Sequence, residues 1–169
     1  MSLEGLGNIG EFIAAVAVVV SLIYLAAQIR QNTKSVRAAA LQDVIGTSTT
    51  FLRDVFRDAE LTRIWFSGAD DLKSVSGIDR QRFHFLIVAY FRQAENMHSQ
   101  SRKGLLKDDD WEGLRESVFE GASRPGMRAW WKSNSFRFNP DFRQFVEEEL
   151  RKRAAQQADA PDRSHAAEE

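Results

Sequence analysis

The hydrophobic side chains are unevenly spread along the chain, and the longest apolar block lies near the N-terminus. Residues 12–27 read FIAAVAVVVSLIYLAA, in which Ser21 is the only clearly polar residue. Extended to residues 9–30, the block forms a helix that matches the roughly 30 Å hydrocarbon core of a bilayer, because each residue adds about 1.5 Å. The pattern therefore predicts a transmembrane helix over 9–30, after a short external N-terminus at 1–8.

Two other interpretations of this block are a signal peptide and the buried core helix of a soluble protein. A secretory signal peptide has basic residues before its apolar core, whereas Glu4 and Glu11 precede this one and no Lys or Arg does. A core helix remains open, since the strictly apolar run is short for a bilayer. The full length and the polar flanks favour the membrane span.

The charges that flank the span predict its orientation. Arg30, Lys34 and Arg37 follow it before the first acid, Asp43, and positive charge is retained on the cytoplasmic side of a membrane. We therefore expect a single-pass protein of the bacterial inner membrane with its N-terminus outside and its C-terminal domain cytoplasmic. The same three basic residues are expected to attract anionic lipid headgroups.

Small residues recur along one side of the predicted span. Their spacing of four, three and four residues places them on one helical face, and the same spacing continues to a glutamine in the last turn. Small side chains let helices approach closely in lipid, where packing drives association. The predicted helix-packing face is formed by Gly10, Ala14, Ala17, Ser21 and Gln28.

Beyond the span, apolar residues recur at the 3.6-residue period of helices, and β-branched residues are few. The chain is thus predicted to be all-α, with the transmembrane helix continuing into a small cytoplasmic helical bundle. We expect a juxtamembrane helix over 31–57, weakened at Gly46, a cytoplasmic helical domain over 58–153, and a disordered tail over 154–169.

Local residue chemistry predicts where several of these helices begin and end. The strongest soluble helix is expected over about 78–102, and Gly68 is predicted to end the helix before it. The residues with the chemistry of helix starts are Asp58, Ser76 (three residues before Asp79), Pro125 and Asn139, which precedes Pro140.

Composition narrows the function classes. The formal net charge is −1, so no global basic field indicates nucleic-acid binding. Cysteine is absent, which excludes disulfides, thiolate catalysis and Cys-ligated metal sites. Charges of opposite sign alternate between consecutive segments, a pattern typical of helices that pack on one another.

One pair of residues suggests metal chemistry. Glu95 and His98 form an E-x-x-H pair on the strongest soluble helix, with His84 on the same side. Di-iron helical bundles use two such pairs and two further glutamates, so a single pair predicts no metal site. No Ser/His/Asp order or phosphate-binding loop occurs, and the G-x-G-x-x-G pattern of Gly5, Gly7 and Gly10 lacks the preceding strand and the following βαβ unit of a dinucleotide site. The sequence therefore predicts neither an enzyme nor a bound cofactor.

These features predict a membrane-anchored structural or interaction protein. It is expected either to form a homo-oligomer or to dock on a larger membrane complex, through its span and juxtamembrane helix. The alternative is a sensor domain for a small molecule or lipid at the cytoplasmic face. Its pocket would lie among five aromatic residues of the domain, Phe83, Tyr90, Phe91, Trp130 and Trp131.

The N-terminal segments Asn8–Phe12 (NIGEF) and Ser21–Thr33 (SLIYLAAQIRQNT) resemble the start of a large group of uncharacterised bacterial membrane-anchored proteins. The resemblance covers about residues 5–150. It implies one helical unit with an N-terminal anchor and brings no known activity. The later segments that carry it are Asp58-Ala59-Glu60-Leu61, Arg82-Phe83, Glu95-Asn96, Gly104-Leu105-Leu106, Trp111, Pro125-Gly126 and Trp130-Trp131.

Overall fold

The structure, a computed structural model, describes the backbone of residues 3–159 and the side chains of residues 11–156. Over that range it is all-α, as the sequence predicts, and contains no strand. The elements are α1 (Leu3–Phe56), α2 (Ala59–Asp70), α3 (Gly77–Arg102), α4 (Asp108–Ala122), α5 (Pro125–Asn134), a 3-10 turn (Ser135–Arg137) and α6 (Pro140–Asp159).

The chain divides into two compact units, and the boundary falls inside α1, after Ala40. In the first unit every side chain from residue 11 to residue 39 is exposed. Within the described residues, α1 is the one helix long and apolar enough to cross a membrane: its most apolar 18-residue window has a mean hydropathy of 2.5 and none of it is buried. The prediction of one long apolar helix near the N-terminus is confirmed.

The second unit begins at Leu41, earlier than residue 58, where the sequence analysis starts the domain. The last turns of α1 belong to this unit because Val44 and Val55 are 0% and 2% exposed. The Gln93 side-chain amide of α3 also donates a hydrogen bond to the Val44 carbonyl at 3.1 Å. The helix runs unbroken through Gly46, since these contacts hold it on both sides of the glycine.

Helix α3 supplies the centre of the second unit. It contacts α2 and α4, while α5 contacts α2 and α4. The core is dominated by aromatic rings in contact with one another, for example Phe91 with Trp131 at 4.6 Å between centroids. The buried side chains of α3 are Phe83, Ile87, Phe91, Ala94 and Met97.

Two glycines let α2 and α5 touch backbone to backbone. A Cβ at Gly126 would overlap the Gly68 carbonyl oxygen and lie 2.8 Å from that of Ala69, and a Cβ at Gly68 would lie 2.7 Å from the Phe83 ring. The expectation that Gly68 ends α2 is therefore wrong. This glycine lies buried inside the helix, which continues to Asp70.

The helix ends follow the local chemistry in most cases. The Asp58 carboxylate accepts hydrogen bonds from the backbone of Glu60 and Leu61, and Pro125 occupies the first turn of α5. The Asn139 side chain accepts one from the Asp141 N–H at 2.9 Å. These capping predictions are confirmed.

Two end regions differ from the sequence expectations. Ser76 precedes α3 but makes no side-chain capping bond, and the Asp79 carboxylate pairs with Arg63 at 2.7 Å instead of completing a capping box. Helix α6 continues to Asp159, past residue 154, where the disordered tail is expected to begin. Residues 160–169 of that tail lie outside the described part of the chain.

Candidate functional site

The predicted packing face lies on the exposed part of α1. Ala14, Ala17, Ser21 and Gln28 are all exposed, and Gly10 lies outside the residues whose side chains are described. The Ser21 hydroxyl donates to the Ala17 carbonyl at 2.8 Å, so its polarity is satisfied within the helix. The opposite face carries bulky apolar side chains, Phe12, Val19 and Ile23. The helix thus has one small and polar face and one bulky face.

A tyrosine and an amide mark the end of the small-residue face. The Gln28 side-chain amide donates a hydrogen bond to the Tyr24 hydroxyl at 3.0 Å. The amide of glutamine offers a second N–H and a carbonyl oxygen, so hydrogen-bonding capacity remains on this face. Asn32 and Ser35 continue it and are also exposed. This part of α1 can therefore hydrogen-bond to a neighbouring helix.

The three basic residues follow the apolar block directly. Arg30, Lys34 and Arg37 are exposed and spaced by four and three residues, which places them on one side of α1. Long basic side chains at the end of a span reach the headgroup region while their carbon chains lie along the helix. The positions suit the predicted lipid contact.

The five aromatic residues of the predicted pocket are brought together, but they fill the space between them. Phe83, Phe91, Trp130 and Trp131 belong to the buried core, and Tyr90 packs against it. The rings lie 4.6 to 5.9 Å apart in the contacts of Phe91 with the two tryptophans. The open cavities lie beside this cluster: Trp130 lines one and Tyr90 lines another.

The first cavity, named here the α3–α5 cavity, has a volume of about 550 Å³. At its wall the Trp130 indole N–H donates a hydrogen bond to the His84 Nδ1 at 3.0 Å. Burial and the nearby charge of Arg137 lower the pKa of His84, so the ring is neutral at pH 7. Because Nδ1 accepts the hydrogen bond from Trp130, the ring carries its proton on Nε2. In the sequence His84 is notable only as a candidate metal ligand, and no local motif links it to Trp130.

The second cavity is an apolar groove of about 280 Å³ between the end of α1, α3 and α4. Leu52, Met97 and Leu114 are among its lining residues. The Tyr90 hydroxyl at its edge donates to the Val118 carbonyl, and burial raises the pKa of Tyr90. No charged residue lines it among the residues described, so it offers a mainly apolar surface with a few neutral polar groups such as Ser48 and Gln93.

Glu95 and His98 have structural roles. One Glu95 oxygen accepts a hydrogen bond from the Asn139 N–H at 2.7 Å, and the other pairs with Arg92 at 2.6 Å. The His98 ring stacks on Phe145 at 4.4 Å, and burial lowers its pKa. In the described part of the chain, no three His, Asp or Glu residues gather where they could hold a metal. Glu95 instead ties the start of α6 to α3.

Comparisons with protein-family models, with curated proteins and with solved structures find no match. The resemblance to bacterial membrane-anchored proteins stays a prediction. No residue role is carried over from another protein.

Proposed function

We propose that this chain is a membrane-anchored interaction protein that self-assembles through the small-residue face of α1. The observation that carries the proposal is the exposure of every side chain from residue 11 to residue 39, although the most apolar window there has a mean hydropathy of 2.5. None of these side chains is buried in the part of the chain that the structure describes. In a bilayer, lipid covers the bulky face, and the small face lets another helix approach closely.

A second copy of the chain fits this face for a chemical reason. Two-fold assembly brings a residue near the axis against its own counterpart. Gln28 suits that position because an amide both donates and accepts hydrogen bonds, so two copies can satisfy each other. Ala14 and Ala17 on the same face add close packing in the apolar part of the helix.

The proposed membrane is the bacterial inner membrane, with the second unit in the cytoplasm. The support is the charge distribution around α1: Arg30, Lys34 and Arg37 follow the apolar block, and Glu11 stands at its other end. Basic residues are retained on the cytoplasmic side. The same residues would bind anionic headgroups there, at about 1 kcal/mol for each charge near the surface.

Native mass spectrometry of the full-length protein, gently extracted from its own membrane, tests the proposal. Self-assembly predicts a single species or a series at multiples of 19.2 kDa. A stable complex with a different chain would replace self-assembly by the role of an accessory subunit. A bare monomer under extraction conditions that preserve other membrane assemblies would contradict both forms of the proposal.

The second candidate function is a sensor of a small molecule at the cytoplasmic face. The observation that favours it is the α3–α5 cavity, whose wall combines His84, Arg80 and aromatic rings. A ligand that binds only the folded domain would raise its thermal stability. The residues that line the cavity indicate which class of ligand it would bind.

A further inference from the structure

We propose that the α3–α5 cavity binds a small organic anion with a flat apolar body, such as an aromatic carboxylate. The cavity volume of about 550 Å³ lies within the range of about 300–1,000 Å³ typical of small-molecule sites. The inference gives the sensor candidate its ligand class. It does not depend on self-assembly, which involves α1 alone, so either proposal can fail without the other.

The charge of the cavity wall is positive. Arg80 lines it, and none of the described residues that line it is acidic. Two other arginines of α2 and α3 are neutralised: Arg63 pairs with Asp79 at 2.7 Å and Arg82 with Glu60 at 2.9 Å. Arg80 has no carboxylate partner within residues 11–156. A carboxylate from outside would supply the missing counter-charge.

The exposed Arg80 side chain makes one hydrogen bond that orients it. Its Nη1 donates a hydrogen bond to the Leu72 carbonyl at 3.2 Å, and a guanidinium has five N–H donors. The remaining donors are left for a ligand, and a planar guanidinium binds a carboxylate through two parallel hydrogen bonds. The Leu72 contact lowers the entropy that Arg80 would lose on binding.

Neutral donors complement this charge. Because His84 Nδ1 accepts a hydrogen bond from the Trp130 indole N–H, the neutral ring has its own N–H on Nε2, which meets no partner in the described part of the protein. Gln81 and Ser133 also line the cavity. The wall thus offers several donors of different geometry, which is the environment that an anionic oxygen requires.

An aromatic wall stands beside these donors. Phe85 is 69% exposed, although its ring lies edge-on to His84 at 5.5 Å between centroids. Leu72 and Trp130 complete the apolar side of the cavity. A flat ligand packed on Phe85 would remove a large apolar face from water. The apolar groove beside Tyr90 lacks the charged partner and does not share this chemistry.

The test uses the full-length protein in phosphatidylcholine nanodiscs, with protein-free nanodiscs as background. The probes are 6-fluoro-2-naphthoate and its uncharged amide. Binding of each probe is measured by a ¹⁹F NMR titration. We expect the carboxylate to bind at least about tenfold more tightly than the amide, since a hydrogen bond to a charged group contributes about 1.5–3 kcal/mol. Equal binding of the two probes, or no binding of the carboxylate, would overturn the proposal.

Two variants locate the site. Arg80→Gln should weaken carboxylate binding about tenfold and leave amide binding unchanged. The matched control is Arg82→Gln, on the same helix but outside the cavity lining, which should change neither. Ser133→Ala removes one exposed hydroxyl and should weaken binding of the carboxylate probe a few-fold. Unchanged carboxylate affinity in both Arg80→Gln and Ser133→Ala would place the probe elsewhere and refute the assignment.

Discussion

The two units of the chain use the same kinds of apolar side chain in opposite ways. Phe12 in the first unit is 71% exposed, whereas Phe91 in the second is fully buried. In the second unit the apolar residues of several helices cover one another. In the first, a single helix has no second layer of its own. Apolar content alone therefore does not make a core, and an exposed apolar helix of this length is the kind of surface that lipid or another helix covers in the function proposed above.

The largest expected difference between the units appears when they are separated. A fragment of residues 41–159 should be monomeric in water, because it leaves out the exposed apolar helix, and it should unfold cooperatively. A fragment of residues 58–159 lacks the buried Val44 and Val55, and its free energy of unfolding should be lower by roughly 1.5–3 kcal/mol for each valine. Circular dichroism and urea unfolding compare the two. Equal stability of both fragments would show that the last turns of α1 are not part of the core.

A glycine substitution in the second unit should lower its stability without changing the assembly. Gly126→Ala places a methyl group against the Gly68 carbonyl of α2, and overpacking of this kind costs about 3 kcal/mol or more when backbone must move. Gly113→Ala is the matched control: nothing lies near its Cβ, so higher helix propensity should stabilise by up to about 1 kcal/mol. Urea unfolding monitored by tryptophan fluorescence measures both, and similar effects would contradict the close helix crossing.

The pH dependence of stability is a smaller effect. Burial lowers the pKa of His98 in the folded protein, so below the ordinary value of about 6.5 the unfolded chain binds more protons. The free energy of unfolding of the second unit should therefore fall as the pH drops from 7 to 5. His98→Gln should show a shallower fall over this window, whatever its stability at pH 7. An unchanged slope would mean that His98 does not contribute to it.

The sequence predicts those features that depend on neighbouring residues. The caps at Asp58 and Asn139 are side-chain bonds to backbone two or three residues away, and the apolar helix is continuous in the chain. From the sequence, Gly68 is predicted to end α2 because glycine often has that role. Its close contact with Gly126 joins residues far apart in sequence, so no local pattern reveals it.

The candidate site shows the same limit more strongly. The sequence predicts a pocket among five aromatic residues, but in the structure rings from different helices fill the space among themselves. The α3–α5 cavity depends on Arg80 and His84 meeting Trp130, which lies 46 residues after His84. The positive charge of the cavity also depends on which arginines form ion pairs with carboxylates in other parts of the fold. Both properties follow from tertiary packing. The sequence therefore indicates the residue types but not which of them lie close together in the fold.

The most direct test of self-assembly compares two double variants of the full-length protein by native mass spectrometry. Ala14→Leu with Ala17→Leu enlarges the small-residue face, and Ala15→Leu with Ala26→Leu makes the same chemical change on the other side of the helix. The proposal predicts that the first variant falls to the 19.2 kDa monomer while the second keeps the wild-type mass. An assembly of unchanged mass in the first variant would contradict it.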